Sequence, residues 1–206
     1  LTNKSFSWCY NTEPEKNLNN RSISWPRGKT LGGSSSINGM IYIRGQRQDY
    51  DSWAAQGNHG WSFDELLPYF IRNENNNDRS GPYHGNSGAQ WVGDIAHEFE
   101  MSDTFIEAAI ESGIPLNNDF NGPSQEGVGY FQAMIKNGRR QSSATDYLSL
   151  CKKRKNFNLI TNALTGKIIV DNGEAIGVQY QHRKQQIIAY CNHEVVLCGG
   201  AINSPQ

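Results

Sequence analysis

Apolar positions along this chain fall into short, separated clusters, each with its own period. The clearest helical stretch opens at Ser62-Phe63-Asp64-Glu65, where a hydroxyl residue and a glutamate three positions on form a capping-box signature. Leu66, Leu67, Phe70 and Ile71 follow at helical spacing. Helices are also predicted over 49–56 and 103–112; the second gathers Phe105, Ala108, Ala109 and Ile110 mostly on one side and stops at Gly113 before Pro115. Residues 143–153 read as a further helix. Ile37-Asn38-Gly39-Met40-Ile41-Tyr42-Ile43 is apolar enough to predict a buried helix directly after a glycine and serine loop.

From residue 157 the pattern changes to strand. Residues 157–161 and 167–170 are rich in β-formers, and Asp171-Asn172-Gly173-Glu174 is a hairpin turn. Segments 175–180 and 186–190 continue a small antiparallel meander. Glu194-Val195-Val196-Leu197-Cys198 is a continuous apolar run that suits a strand buried on both faces of a parallel sheet, closing on Gly199-Gly200-Ala201. Residues 1–26 and 73–97 are polar and loop-rich. Helical and strand segments are both present, with no internal repeat.

Composition sharpens this picture. Only 36% of the 206 residues are hydrophobic and the mean hydropathy is −0.67, polar for a self-contained globule. Part of the core is therefore expected to lie outside this stretch. The first residue is Leu1, no apolar signal core follows, and the chain stops just past its last predicted strand. An internal piece of a longer protein is expected, unstable or aggregation-prone alone because its sheet edges would lack partners. A net charge of −1 without a Lys/Arg stripe argues against nucleic acid, and no apolar run is long enough to span a bilayer. Cys9, Cys151, Cys191 and Cys198 form no metal or disulfide framework. Their usage leans intracellular, and Cys198 is expected to point into a core.

Candidate chemistry concentrates in Gly32-Gly33-Ser34-Ser35-Ser36. Paired glycines ahead of a helix let the backbone approach a ligand, and successive N–H groups at a helix start favour an anion such as a cofactor pyrophosphate. Asn38, set among apolar residues, needs hydrogen-bond partners. None of His59, His84, His97, His182 and His193 is assigned as a catalytic base; His84 and His97 fall in the loop-rich stretch.

The run from Arg27 through Gly32-Gly33-Ser34-Ser35-Ser36-Ile37-Asn38-Gly39-Met40 to Asp51 resembles the first signature of the glucose–methanol–choline (GMC) oxidoreductases, without a gap. Gly200-Ala201-Ile202-Asn203-Ser204-Pro205 resembles the opening of the second. Asp119-Phe120-Asn121-Gly122, Gln125-Glu126-Gly127-Val128-Gly129 and Gly138-Arg139-Arg140-Gln141-Ser142 are similar to family landmarks in the same order. The resemblance covers essentially the whole chain and is nearest to the choline dehydrogenase branch.

That resemblance implies an α/β fold: an incomplete FAD-binding domain, Rossmann-like and of GMC type, with the small antiparallel β meander and part of a substrate domain. Residues 1–60 would belong to the FAD-binding domain, 61–140 to an insertion including part of the substrate domain, and 141–206 to the return. Gly32, Gly33 and Ser34 would line the FAD diphosphate and ribityl region, and Asn38, Gly39, Met40 and Ile41 would lie along the flavin ring. Thr165 would place its backbone at the adenine, and Gly200 and Ala201 would lie near the cofactor. Some family members carry a flavin-linked His where Ile37 stands; Ile cannot form that bond, so noncovalent FAD is expected. The implied reaction oxidises a primary alcohol, choline-like or another small or medium one, by proton removal and hydride transfer to the flavin. The family's usual base, a His, and its GxGxxG fingerprint would lie outside this stretch, so the piece alone is expected to be inactive. The electron acceptor stays open, as does membrane association of the longer protein. The alternatives are a flavin-binding relative without catalysis and a carbohydrate-binding or interaction module.

Overall fold

The computed structural model describes residues 3–206. The chain forms two compact units divided between Lys153 and Arg154, each with its own organisation. Among the described residues no helix is long and apolar enough to cross a membrane.

In the first unit the polar N-terminal stretch folds on itself. Strand β1 (Tyr10–Asn11) runs antiparallel to β2 (Ser24–Trp25). Trp8 stacks on Tyr10 at 6.3 Å, and the Lys29 ammonium lies over Trp8 at 4.7 Å, so these aromatic residues anchor the hairpin. The glycine–serine segment then makes a 3-10 helix, Gly33–Ser36.

The buried helix expected over 37–43 does not form. Residues 37–40 turn, and β3 (Ile41–Tyr42) pairs antiparallel with Gln132–Ala133. The cause is local: the Asn38 side chain accepts the Met40 N–H at 3.0 Å, competing with a helical bond. Met40 itself sits at φ 65, and Gly39 is a poor helix former. The segment is not buried either, with Ile41 44% and Ile43 46% exposed.

Helices α1 (Arg47–Ala55) and α2 (Phe63–Asn73) follow. At the start of α2 the Glu65 carboxylate accepts the Ser62 N–H at 3.1 Å and its hydroxyl at 2.6 Å, as the sequence pattern predicts. Glu65→Ala is accordingly expected to produce a small fall in the urea unfolding midpoint with an unchanged m-value. Tyr50 on α1 centres the contact between the two helices, its ring 5.4 Å from Trp53, 6.1 Å from Phe63 and 5.5 Å from Phe70.

Helix α2 runs straight into β4 (Glu74–Asn76), which pairs in parallel with β5 (Gln90–Val92). The stretch read as loop thus contributes two strands to the centre of the unit. Helix α3 (Glu100–Glu111) starts three residues before the predicted 103 and is terminated through Ser112 and Gly113, the latter at φ 88. Met101 and Phe105 on α3 remain 79% and 69% exposed. Strand β6 (Gln132–Ala133) is the partner of β3, and β7 (Ile135–Lys136) makes a hairpin with β8 (Arg139–Arg140). The predicted helix over 143–153 is a π-helical turn, Ala144–Leu148, continued by the short α4 (Ser149–Cys151).

The second unit is built on an antiparallel meander of β9 (Ala163–Asp171), β10 (Glu174–His182) and β11 (Gln185–Tyr190), in the order β11-β10-β9. Its first turn has Asn172 at φ 49 and Gly173 at φ 86, the left-handed pair a two-residue hairpin needs. Residues 157–161 are not a strand. The β9–β10 ladder ends at the Ala163–His182 pair, where β10 turns into β11, so nothing stands opposite them. The run 194–198 is not a strand either, and it is not buried: Val196 is 72% exposed, Leu197 49%, and Cys198 is exposed. An apolar strand of that kind needs neighbours on both sides, and the described strands of this unit pair only with one another in the meander. A helical turn, α5 (Gly200–Asn203), closes the chain.

Candidate functional site

Within the first unit, Gly32 and Gly33 take φ 85 and φ 54, left-handed values that a side chain resists. No atom lies within 4 Å of where a Cβ on Gly33 or Gly39 would sit, so both face open space. The rest of the turn is held from behind. Gly28 packs so closely that its Cβ would collide with the Gly33 carbonyl, and its N–H donates to the Ser34 hydroxyl at 3.1 Å. The Ser35 hydroxyl donates to the Gly32 carbonyl at 2.5 Å and accepts the Ser143 N–H at 3.0 Å, and the Ser36 hydroxyl donates to the Leu31 carbonyl at 2.7 Å.

Asn38 finds the partners its setting demanded, though on the surface. Its Oδ1 accepts the Met40 N–H and the Arg140 guanidinium, the latter at 2.7 Å. The Met40 carbonyl accepts the Met134 N–H at 2.8 Å. The segment 32–41 therefore presents backbone and the exposed Leu31 and Ile41 side chains, with its polar anchors behind it. These residues suit a large, partly apolar, anionic group lying along the surface: open space at two glycines, an early helical turn and apolar flanks.

At the far end of this segment lies a buried polar ring that the sequence did not single out. Arg44 donates to Glu74 Oε2 at 2.7 Å and to the Tyr83 carbonyl at 2.7 Å. Glu74, fully buried, also accepts the Gly85 N–H at 2.9 Å on Oε2. Its Oε1 takes Asn76 at 2.9 Å and His84 Nδ1 at 3.0 Å. His84 Nε2 is 2.8 Å from Asp119 Oδ2. Asp119 Oδ1 accepts the Asn121 N–H at 3.1 Å, and Asn121 Oδ1 accepts the Arg44 N–H at 2.8 Å, closing the circuit. Asn76 extends it through Gln132, at 2.7 Å, to Asp94.

The electrostatics follow. Burial pushes the Glu74 carboxyl up, but hydrogen bonds from His84, Asn76 and Gly85 and the Arg44 charge outweigh it, leaving the group below the usual carboxylate range. The Glu74 hydrogen bond and then Asp119 raise His84 above the ordinary histidine value against its own burial. Burial raises the Tyr42 phenol, with Arg44 opposing, and burial also raises Asp146. Among the described residues no three His, Cys, Asp or Glu side chains are placed to hold a metal ion.

Of the sequence-predicted residues, Gly32, Gly33, Ser34, Asn38, Gly39, Met40 and Ile41 form this one surface in the first unit. Thr165, near the start of β9 opposite Tyr180, and Gly200 and Ala201, in α5, belong to the second. A cavity of about 170 Å³ lined by Arg44, Arg47, Phe63, Tyr83 and Gln125 lies in the first unit, apart from the glycine surface. The one legible signal for the ring was Asp119-Phe120-Asn121-Gly122, and for the Asn38 anchor Gly138-Arg139-Arg140; Glu74 and His84 carried none.

The model of the GMC oxidoreductase family matches residues 7–206. The chain belongs to this family. Among curated relatives of this GMC chain, an alcohol dehydrogenase [acceptor] of Pseudomonas putida is 42% identical over 207 residues, covering 98% of the chain and 37% of the relative. An oxygen-dependent choline dehydrogenase of Stenotrophomonas maltophilia is 43% identical over all of the chain and 37% of the relative. Human mitochondrial choline dehydrogenase is 38% identical over 100% and 35%. The chain thus spans little more than a third of the length of these relatives. A solved pyridoxine 4-oxidase from Mesorbium loti superposes with a TM-score of 0.92 at 28% identity, covering 97% of this chain and 40% of that one. The mixed helix and strand architecture is therefore part of the GMC FAD-binding fold, as the sequence implied.

Proposed function

We propose that this GMC chain supplies one wall of the FAD site of an enzyme that oxidises a primary alcohol, choline-like or another small or medium one, to the aldehyde. The observation that carries the reading is the 32–41 surface, where left-handed Gly33 and neighbouring Gly39 leave open backbone beside exposed Ile41. Its relatives named as choline and alcohol dehydrogenases support the substrate class.

Bound FAD would supply the acceptor for the hydride leaving the alcohol carbon. The chain's own residues bind and orient. Gly32, Gly33 and Ser34 offer a turn into which an anionic diphosphate fits. Asn38, Gly39, Met40 and Ile41 form an edge for the flavin ring, with Arg140 fixing Asn38 from behind. Thr165 is assigned to the adenine, and Gly200 and Ala201 to further cofactor contacts, on their match to the family's motifs. Ile37 has no nucleophile, so attachment is noncovalent. Residues 1–60 and 141–206 are assigned to the cofactor domain, and 61–140 to an insertion with part of the substrate domain. The base that takes the hydroxyl proton is assigned outside these residues.

The test is absorbance of the full-length protein before and after acid precipitation. Yellow protein that releases its flavin into the supernatant, and that is bleached anaerobically by choline or a simple primary alcohol, is the expected result. Folded, colourless protein that no added FAD can load would sink the reading.

A further inference from the structure

The segment proposed to face the flavin is clamped at both ends. Arg140 holds Asn38, and the polar ring holds the other end at three backbone atoms. Asn121 donates to the Tyr42 carbonyl at 3.3 Å and accepts the Arg44 N–H, and Gln125 donates to the Arg44 carbonyl at 2.9 Å. The same Asn121 is held by Asp119, and Asp119 by His84.

Both ring nitrogens of His84 lie at hydrogen-bond distance from a carboxylate oxygen, 3.0 Å to Glu74 and 2.8 Å to Asp119. A carboxylate only accepts, so each nitrogen must donate, and only the imidazolium has two N–H groups. With His84 charged, two cations (Arg44, His84) and two anions (Glu74, Asp119) balance inside the unit. A neutral imidazole keeps one donor and turns a lone pair toward the other carboxylate. The remaining groups facing this site are the Asn76 amide, 3.4 Å from Nδ1, and the Tyr42 phenol against Arg44, with the Arg79–Asp94 pair reached through Gln132.

We propose that His84 is a positioning residue for the Asn38–Arg44 segment: as an imidazolium between Glu74 and Asp119 it closes the ring that holds Arg44, and the ring opens when that proton leaves to solvent. The inference rests on the flavin reading for its functional meaning. The ring itself is a property of the protein with or without cofactor. The hydrogen-bond geometry carries it, and the raised protonation range of His84 agrees with it.

Asp119→Asn separates positioning from mere packing. Asn keeps an oxygen for the Asn121 N–H and turns an amide donor toward His84 Nε2, so a neutral imidazole now completes the ring. His84→Gln leaves it open whatever the pH. The measurement is hydrogen–deuterium exchange of the 38–44 peptide in the full-length protein, with and without FAD, corrected for the intrinsic pH dependence of exchange. In the parent protein, exchange should be slow at neutral pH and rise about tenfold as pH climbs above the ordinary histidine range. The Asp119→Asn protein should stay slow across that range, and His84→Gln should be fast throughout.

A flat parent profile, or a pH rise that Asp119→Asn leaves unchanged, would overturn the proposal, even if His84→Gln fails to fold. Should the exchange pattern appear in a protein that binds no FAD, the ring stands and the cofactor assignment falls. Should the parent bind FAD while its 38–44 exchange ignores pH and His84→Gln, the cofactor assignment stands and the ring falls.

Discussion

Glu74→Ala is expected to destabilise the protein by about 3–5 kcal/mol, the cost of removing one partner from a buried ion pair. Glu74 is wholly buried and accepts four hydrogen bonds, from Arg44, Gly85, Asn76 and His84. Alanine strips Arg44 of its buried counter-charge and the Gly85 N–H of its acceptor, and removes the anion that keeps His84 protonated. Native domains are stable by only about 5–15 kcal/mol, so the change should be visible as a large drop in urea midpoint. Glu74→Gln keeps the volume but sets an amide N–H₂ against donors, and is expected to lose less than alanine but more than an exposed carboxylate would.

The pH profile gives a second readout. Glu74 sits below its ordinary range, so its contribution is present above the unfolded carboxylate value and fades as pH falls through the depressed one. His84 sits above its ordinary range, so its contribution is complete below the unfolded histidine value and is lost as pH rises through the raised one. The parent protein should therefore be most stable between those limits, with a loss on each side. In Glu74→Ala both limbs should flatten, because the acid limb is gone and His84 keeps only Asp119. A variant whose pH profile parallels the parent's would show that the ring is not what titrates.

What the chain revealed in advance depended on how local the determinant was. The α2 cap was readable because Ser62 and Glu65 are three residues apart and satisfy each other. The β9–β10 turn was readable because Asn172 and Gly173 set their own dihedrals. The glycine–serine signature was readable as a pattern, yet its conformation was not. Apolar content around Asn38 suggested a helix, whereas an Asn38–Met40 bond and pairing with Gln132–Ala133, far along the chain, produced a turn and a strand. The run 194–198 erred in the other direction. Its composition anticipates neighbours on both sides, and the meander provides none.

The ring was invisible for a related reason. Arg44, Glu74, His84, Asp119 and Asn121 span 77 positions, the separation of Arg44 and Asn121, and no periodicity links them. Buried polar residues in this chain outnumber the buried apolar ones, which are Phe63, Val92, Ala133, Met134 and Tyr180 among the described residues. Hydrophobic patterning is a weak guide to such a centre, because hydrogen-bond closure specifies it. Pairing β4 with β5 and drawing the 83–85 stretch alongside β4 brings a histidine from apparent loop onto a carboxylate.

Gly28→Ala and Gly33→Ala should part company, and together they test the cofactor surface most sharply. Gly28 has no unusual dihedral; what excludes a side chain is the backbone of Gly33 and Ser34, with the Ser34 nitrogen 2.7 Å from the Cβ position. Backbone cannot rotate aside as a side chain can, so alanine must push strand and turn apart, an overpacking cost of about 1–3 kcal/mol. Stability without cofactor and affinity for FAD should both fall, the latter by about 10- to 100-fold. Gly33 is the reverse case. Its Cβ position is empty, and only the left-handed φ of 54 opposes substitution, at about 1–2 kcal/mol. Gly33→Ala should therefore lose only that dihedral cost, without displacing the turn, yet place a methyl where the diphosphate is proposed to lie. Titration of the flavin-free full-length variants with FAD, followed by flavin fluorescence, separates the two. Wild-type affinity in Gly33→Ala would move the cofactor off this turn. Affinity lost out of proportion to the fall in stability there, against matched losses in Gly28→Ala, is the pattern expected if open backbone at Gly33 is the surface the cofactor meets.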